Sequence, residues 1–127
     1  MRYLLDTHAL IWYIENDAQL SYRAKSIIED ERNSVFATMA NLWEIAIKVS
    51  IKKLDLTLTT DEIFQKLHKM DIPVFGILPN HIRMLQTLPH HHRDPFDRMI
   101  IAQAFEEKCT VITRDALFDA YDVSILW

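Results

Sequence analysis

Short apolar runs alternate with amphipathic helical patterns along the whole chain. A run of aliphatic and β-branched residues is typical of a buried strand, whereas apolar residues at intervals of three and four indicate a helix. The runs predict strands at residues 3–5, 34–38, 72–77, 110–113 and 123–127. The stretches between them predict helices at residues 8–15, 22–32, 39–51, 60–70, 79–88 and 95–108, and a helical turn at 116–121. Because strands that alternate with helices form parallel sheets covered on both faces, we expect a three-layer α/β/α sandwich.

Polar residues in front of the helical patterns predict where the helices begin. Serine, threonine and aspartate are favoured N-caps because their side chains accept hydrogen bonds from free backbone N–H groups. The predicted caps are Thr7, Ser21, Thr60 or Asp61, and Asp94. Asp94 precedes Pro95, and proline at the first helical position is common. Pro73 and Gly76 weaken the third predicted strand, since neither residue suits the interior of a sheet.

The composition excludes several classes of protein. The chain has 127 residues, of which 50% are hydrophobic, and no linker interrupts it, so we expect residues 1–127 to form a single domain. One glycine, Gly76, is too few for a Gly-rich phosphate-binding loop. One cysteine, Cys109, excludes an intrachain disulfide and a multi-cysteine zinc site. A buried Cys109 in a reducing compartment such as the cytoplasm is the expected arrangement.

Charge and hydropathy restrict the partners. The formal net charge of −4 does not attract nucleic acid, so a polyanionic partner requires a local basic patch or bridging cations. Lys48, Lys52 and Lys53 form the densest basic patch, which is either a solvated helix end or a contact for a phosphate backbone. The apolar run at residues 9–14 is far shorter than a membrane span, and no leader pattern opens the chain. We therefore expect a soluble protein without a membrane partner.

Four carboxylates lie in strongly apolar surroundings. Asp6 and Asp115 each follow a predicted strand, and Glu44 is the only charged residue within 35–47. Asp97 lies in the first turn of the helix that leads into the fourth strand. Ligands of parallel α/β sheets bind at the carboxyl ends of the strands, where we expect these acids to converge.

Each acid also has a structural explanation. Asp6 and Asp115 are suited to capping helices, and Asp97 is suited to the positive end of a helix dipole. Glu44 is either on an exposed stripe of its helix or held by partners, because an unpaired buried carboxylate costs several kcal/mol. For Asp94, capping is favoured over a functional role.

Convergence of the four acids would require cations. Two carboxylates about 5 Å apart repel each other by roughly 3 kcal/mol at an effective dielectric constant near 20. Ligands that are all oxygen select Mg²⁺ or Mn²⁺ over zinc, and Mg²⁺ held by few carboxylates usually retains water and accepts phosphate oxygens. The pattern therefore favours metal-assisted hydrolysis of phosphodiesters.

Four segments in this order resemble the PIN domain, and in particular the VapC-type toxin ribonucleases of bacterial toxin–antitoxin pairs. The segments are LLDTHALIW from Leu4, NLWEIAIK from Asn41, RDPFDRMIIAQA from Arg93 and VITRD from Val111. The resemblance covers essentially the whole chain from Leu4. It implies a five-stranded parallel sheet of order 3-2-1-4-5, dependence on Mg²⁺ or Mn²⁺, and RNA as the substrate. It also implies a homodimer, and a cognate antitoxin that forms a heteromeric complex with it.

The resemblance maps the acidic quartet of the family onto Asp6, Glu44, Asp97 and Asp115, and its supporting hydroxyl onto Thr113. Asp6 and Asp97 would bind the principal metal, with Asp115 bound directly or through water. Glu44 would hold the attacking water or a second metal, and Thr113 would position Asp115 or metal-bound water.

The sequence leaves the roles of three arginines and three histidines undecided. Arg93, Arg98 and Arg114 each flank a site acid and would either clamp the scissile phosphate or pair with those acids. Three adjacent histidines at 90–92 cannot easily face one ion, which favours a solvated loop or a phosphate contact over structural zinc.

Two other functions compete with the nuclease. A phospho-accepting receiver-like domain also gathers acids with Mg²⁺ at strand ends, but it requires an acid at the end of the third strand, and Ile77-Leu78 supplies none. A PIN-like module that only binds a partner would not need the intact quartet. Hydrolysis of DNA also stays open, because the acids do not recognise the 2′-hydroxyl.

Overall fold

The computed structural model describes residues 1–127 and contains one five-stranded parallel sheet of order β3-β2-β1-β4-β5. The strands are β1 (Arg2–Leu5), β2 (Ser34–Thr38), β3 (Val74–Phe75), β4 (Thr110–Ile112) and β5 (Ile125–Leu126). The helices are α1 (Thr7–Ile14), α2 (Tyr22–Glu29), α3 (Met39–Ser50), α4 (Thr60–Lys69), α5 (Pro79–Thr87) and α6 (Pro95–Glu107), followed by a 3₁₀ helix (Ala116–Tyr121). The expected order 3-2-1-4-5 and the α/β architecture are confirmed. None of the helices combines the length and the apolar character that crossing a membrane demands.

The central strand supplies side chains to two separate hydrophobic cores. Tyr3 and Leu5 belong to a cluster of 18 buried residues that includes residues from α1 and α2, whereas Leu4 belongs to a cluster of 13 with residues of α6. This division follows from the alternation of side chains between the two faces of a strand. A parallel sheet covered on both faces explains why its strands are continuous apolar runs. Cys109 is buried in the second cluster, as expected.

The third strand is shorter than the sequence pattern predicts. Only Val74 and Phe75 pair with β2, because Pro73 lacks an N–H donor and the chain leaves the sheet at Gly76. The carbonyl of Pro73 still accepts a hydrogen bond from the Ala37 N–H at 2.9 Å.

Two predicted N-caps are wrong by one or two residues. Asp6 rather than Thr7 caps α1, and Thr59 rather than Thr60 or Asp61 caps α4. In both cases the capping residue is extended, and its side-chain oxygen accepts from the N–H three residues later. The predicted caps Ser21 and Asp94 are confirmed.

The carboxyl ends of the central strands bring distant parts of the chain together. Leu5 of β1 pairs with Ile112 of β4, and the Asp6 N–H continues the ladder by donating to the Ile112 carbonyl at 3.1 Å. On the other side, β1 pairs with β2, which leads into α3 through Thr38. The strand order thus reverses at β1, and the residues that follow the strands lie at this reversal.

Candidate active site

Asp6 lies at the junction of β1 and α1 and uses both carboxylate oxygens. Oδ1 accepts the Ala9 N–H at 2.8 Å, and Oδ2 accepts the Thr113 hydroxyl at 2.5 Å. The residue is only 6% exposed, and this burial raises the pKa of its carboxyl group despite the two donors. Asp6 is therefore both a helix cap and part of an acidic cluster.

Thr113 joins the ends of two strands to the fourth acid. Its hydroxyl donates to Asp6 and accepts the Asp115 N–H at 3.0 Å. Asp115 in turn caps the 3₁₀ helix, because its Oδ1 accepts the Leu117 N–H at 2.9 Å. This leaves Oδ2 of Asp115 directed to His92, whose Nε2 lies 3.3 Å away. The capping explanation is thus correct for both Asp6 and Asp115, and each retains an oxygen at the cluster.

Glu44 is buried rather than part of an exposed stripe. It is 3% exposed, whereas the neighbouring Trp43 is 59% exposed, so the buried face of α3 includes the carboxylate. Oε2 accepts a hydrogen bond from Lys48 Nζ at 2.6 Å, and Oε1 is buried with no partner. A carboxylate oxygen without a donor is rare inside proteins and marks a position where a further group would be favourable.

Lys48 is a site residue that the sequence analysis placed in a surface patch. Its ion pair with Glu44 follows from their spacing, because residues four apart lie on the same face of a helix. Partial burial lowers the pKa of Lys48, but the hydrogen bond to Glu44 and the nearby Asp94 and Asp97 raise it by more. The i,i+4 spacing is the signal that would have identified the pair.

Asp97 lies at the centre of the acidic charges. Burial raises the pKa of its carboxyl group to about 8, and the charges of four other acids contribute. In decreasing order of effect these acids are Asp94, Glu44, Asp6 and Asp115. The structure therefore brings together the four acids singled out in the sequence, with Asp94 beside them. Asp94 itself caps α6, with Oδ1 accepting the N–H groups of Phe96 and Asp97.

His92 is the second site residue that the sequence analysis left without a role. It is 8% exposed, whereas the preceding two histidines are exposed. One ligand atom each of His92, Asp97 and Asp115 lie within 4.8 Å of one another. A run of three histidines gave no indication that only the last one would turn inwards.

The three flanking arginines occupy different environments. Arg98 is buried, and its guanidinium donates to the carbonyls of Pro89 at 2.7 Å and Leu88 at 3.4 Å, which argues against contact with a phosphate. Arg93 and Arg114 are exposed, and the guanidinium of Arg114 lies 4.6 Å from the ring centre of Trp12. The ion pairs of the structure, which join Arg2, Arg32, Lys48, His81 and His92 to acids, include none of the three arginines. The alternative that they pair with the site acids is therefore wrong.

The donors of this cluster fit a hard divalent cation. Carboxylate oxygens predominate, and the buried Oε1 of Glu44 has no protein partner. Burial and then repulsion by the neighbouring acids raise the pKa of Asp97, so a cation among the acids would favour its ionised form.

Comparison with known families and structures agrees with this fold. The family model described as the PIN domain matches residues 3–124. Comparison with curated protein sequences gives no match.

Several solved structures share the fold at low sequence identity. A complex of VapBC2 from Rickettsia felis bound to a promoter DNA fragment superimposes with a TM-score of 0.75 and 14% identity, covering 100% of this chain and 99% of that one. FitAcB from Neisseria gonorrhoeae gives a TM-score of 0.65 and 20% identity, covering 98% and 96%. VapBC-5 from Mycobacterium tuberculosis, a member of the VapBC family of toxin–antitoxin systems, gives 0.58 and 23%, covering 98% and 95%.

Proposed function

The chain belongs to the PIN-domain family, and from this premise we propose that it is a metal-dependent ribonuclease and the toxin of a toxin–antitoxin pair. The observation that carries the proposal is that Asp6, Glu44 and Asp115 lie close enough to Asp97, beyond the carboxyl ends of β1 and β4, to act on its charge. Two of these carboxyl groups, those of Asp6 and Asp97, have raised pKa values. A divalent cation would favour their ionised forms, and hydrolysis of phosphodiesters uses such cations.

The four acids would bind the cation and orient the attacking water. Asp6, Asp97 and Asp115 would hold the principal Mg²⁺ or Mn²⁺, and Glu44 would orient the attacking water through its free Oε1. When bound, the cation supplies Lewis-acid chemistry, which makes water a better nucleophile and stabilises charge on the phosphate and on the leaving oxygen.

Other side chains would set the geometry and the charge. The Thr113 hydroxyl fixes Asp6 and the backbone of Asp115 at once, so the two acids keep a constant separation. Lys48 holds Glu44 in one orientation and reduces the negative charge that an approaching phosphate meets. Arg93 and Arg114 are exposed and adjoin the site acids Asp94 and Asp115 in sequence, and they would contact RNA phosphates.

The proposed partners follow from the structural neighbours. Those described above include a member of the VapBC family of toxin–antitoxin systems, so we infer that this chain binds a cognate antitoxin. The resemblance to VapC-type toxins supports the further proposal of a homodimer. The receiver-like alternative is disfavoured, because β3 ends at Phe75 and Gly76 follows instead of an acid.

Cleavage by the purified protein tests the proposal. Freed of any antitoxin, the protein should cleave single-stranded RNA with Mg²⁺ or Mn²⁺ and should stop in excess EDTA. DNA of the same sequence, assayed in parallel, decides whether the alternative of DNA hydrolysis holds. Asp97→Asn should reduce the rate by at least about a hundredfold, because it removes a cation ligand. Asp94→Asn is the matched control and should retain activity, since asparagine caps a helix about as well as aspartate. Cleavage that persists in EDTA, or equal loss in both variants, would overturn the proposed mechanism.

A further inference from the structure

The loop before α6 holds one histidine rigidly against the acidic cluster. The His92 N–H donates to the Tyr121 hydroxyl at 2.6 Å. Its ring stacks on the Tyr121 ring at 5.4 Å and meets the edge of Phe118 at 5.2 Å. These contacts leave the side chain 5% exposed and fix the direction of the imidazole.

The imidazole of His92 makes only one long hydrogen bond within the protein. Nε2 approaches Asp115 Oδ2 at 3.3 Å, which exceeds the usual N–H···O range of about 2.7–3.2 Å, and Nδ1 is buried with no partner. A histidine buried for hydrogen bonding alone would be expected to satisfy both nitrogens. Hydrogen bonding within the protein therefore does not account for the placement of this ring.

The spacing of the surrounding atoms suits coordination better. Around an octahedral ion with bonds of about 2.1 Å, adjacent ligand atoms lie about 3.0 Å apart and opposite ones about 4.2 Å apart. The 3.3 Å between His92 Nε2 and Asp115 Oδ2 is close to the adjacent value. One ligand atom each of His92, Asp97 and Asp115 lie within 4.8 Å of one another. This separation is slightly larger than the distance between opposite ligands, so small side-chain rotations would bring all three atoms to coordination distance of one ion.

We propose that His92 contributes a nitrogen ligand, alongside Asp97 and Asp115, to the divalent cation of this site, an inference that rests on the proposed nuclease function. Imidazole binds transition ions well, whereas Mg²⁺ favours oxygen ligands. The consequence is a site that selects Mn²⁺ over Mg²⁺ more strongly than a site built from carboxylates alone.

The experiment compares binding of Mn²⁺ alone and of Mg²⁺ alone to the whole protein. Electron paramagnetic resonance follows Mn²⁺, and competition gives the affinity for Mg²⁺. His92→Gln places an amide near the position of Nε2, which preserves a contact with Asp115 and removes the imidazole. His91→Gln is the matched control from the exposed part of the same run, and His8→Gln controls for the other histidine close to Asp6.

Bound Mn²⁺ in the parent should show hyperfine coupling to a nitrogen nucleus in pulsed measurements. The coupling should persist in His91→Gln and His8→Gln and vanish in His92→Gln. The affinity of His92→Gln for Mn²⁺ should fall about tenfold or more, with the affinity for Mg²⁺ changed about twofold or less.

Two results would overturn the inference in different ways. Mn²⁺ bound to the parent without nitrogen coupling would show that the ion lies among carboxylates only and would leave the proposed nuclease intact. Failure of the parent to bind either ion would remove the proposed metal mechanism as well. The parent measurement decides between these results even if His92→Gln does not fold.

Discussion

Among the site acids, Asp97 differs in its lack of compensating hydrogen bonds. Asp6, Asp94 and Asp115 each accept backbone N–H groups, whereas no donor reaches the Asp97 carboxylate. No hydrogen bond therefore counters burial and the neighbouring acids, which raise the pKa of Asp97 to about 8. In the metal-free protein at neutral pH, this carboxyl group retains its proton, and a cation must displace that proton in order to bind.

The raised pKa of Asp97 predicts how stability depends on pH. In the unfolded chain Asp97 ionises near its ordinary pKa of 3.8, whereas in the folded protein it ionises near about 8. Between these values the folded state binds the extra proton, so the free energy of unfolding should fall as pH rises, by up to about 1.4 kcal/mol per pH unit. Asp97→Asn should flatten this slope.

Urea denaturation of the metal-free protein from pH 5 to pH 8 measures the effect. The raised pKa of Asp6 acts in the same direction, so some slope should persist in the variant. The lowered pKa of Asp30, at about 2, and the raised pKa of Lys48 act outside this range and do not disturb the comparison. Parallel slopes for the parent and Asp97→Asn would contradict the assignment.

At the residue scale, sequence reasoning located the acids but not their partners. Asp6 and Asp115 were predictable because Asp6 directly follows β1 and Asp115 lies three residues after the end of β4. Whether Glu44 faced the core could not be predicted, because α3 is apolar on most sides and either face was a plausible core face. The inward turn of His92 depends on Tyr121, a contact between residues 29 positions apart that no local pattern reveals.

At the scale of elements, the loop between α5 and α6 is fixed by a buried arginine. Besides its contacts with Leu88 and Pro89, the Arg98 guanidinium lies 3.5 Å from the Leu85 carbonyl and 3.4 Å from the Tyr121 hydroxyl. That hydroxyl also accepts the N–H of His92. Arg98 therefore holds the segment that positions both His92 and the start of α6.

Replacing Arg98 should destabilise the protein. In Arg98→Met the carbonyls of Leu88 and Pro89 lose their donor in buried surroundings, and the expected loss is about 2–4 kcal/mol in the free energy of unfolding. Arg83→Met, in an exposed position on α5, is the control and should change stability by less than about 0.5 kcal/mol. Chemical denaturation measures both variants. A fully stable Arg98→Met with weakened RNA binding would instead support the phosphate contact that the sequence suggested.

Most element boundaries could be predicted because apolar periodicity and N-cap chemistry are local properties. The two-residue β3 could not, since its ends depend on where Pro73 and Gly76 leave the edge of β2. The caps of α1 and α4 were ambiguous because adjacent residues are all good caps, and the backbone conformation decides between them.

Across the whole molecule, Asp6 and Glu44 are the buried acids, and both belong to the candidate site. The protein has a net charge of −4, and the acids at the strand ends lie beside the N-termini of α1 and α6, whose dipoles only partly offset them. The fold therefore gathers acids whose ionisation a cation would favour, and its stability should respond to divalent cations.

Mg²⁺ or Mn²⁺ should raise the melting temperature of the parent in a concentration-dependent way. A cation that binds only the folded state adds about 2.7 kcal/mol to the free energy of unfolding when its concentration is a hundred times its dissociation constant. Asp97→Asn should gain much less, because it lacks a ligand. Sodium chloride of equal ionic strength is the control for screening, and an equal increase with that salt would show that no specific cation site exists.

The hydrogen bond between Thr113 and Asp6 also determines when the site exists during synthesis. Its partners are separated by 107 positions, and β1 has no β4 neighbour until residues 110–112 have been made. A ribosome that adds about 5–20 residues per second makes the first acid several seconds before the last one. A nascent chain that stops short of Asp115 lacks one of the four carboxylates. The four acids can therefore assemble only after residues 6–115 have left the ribosomal tunnel.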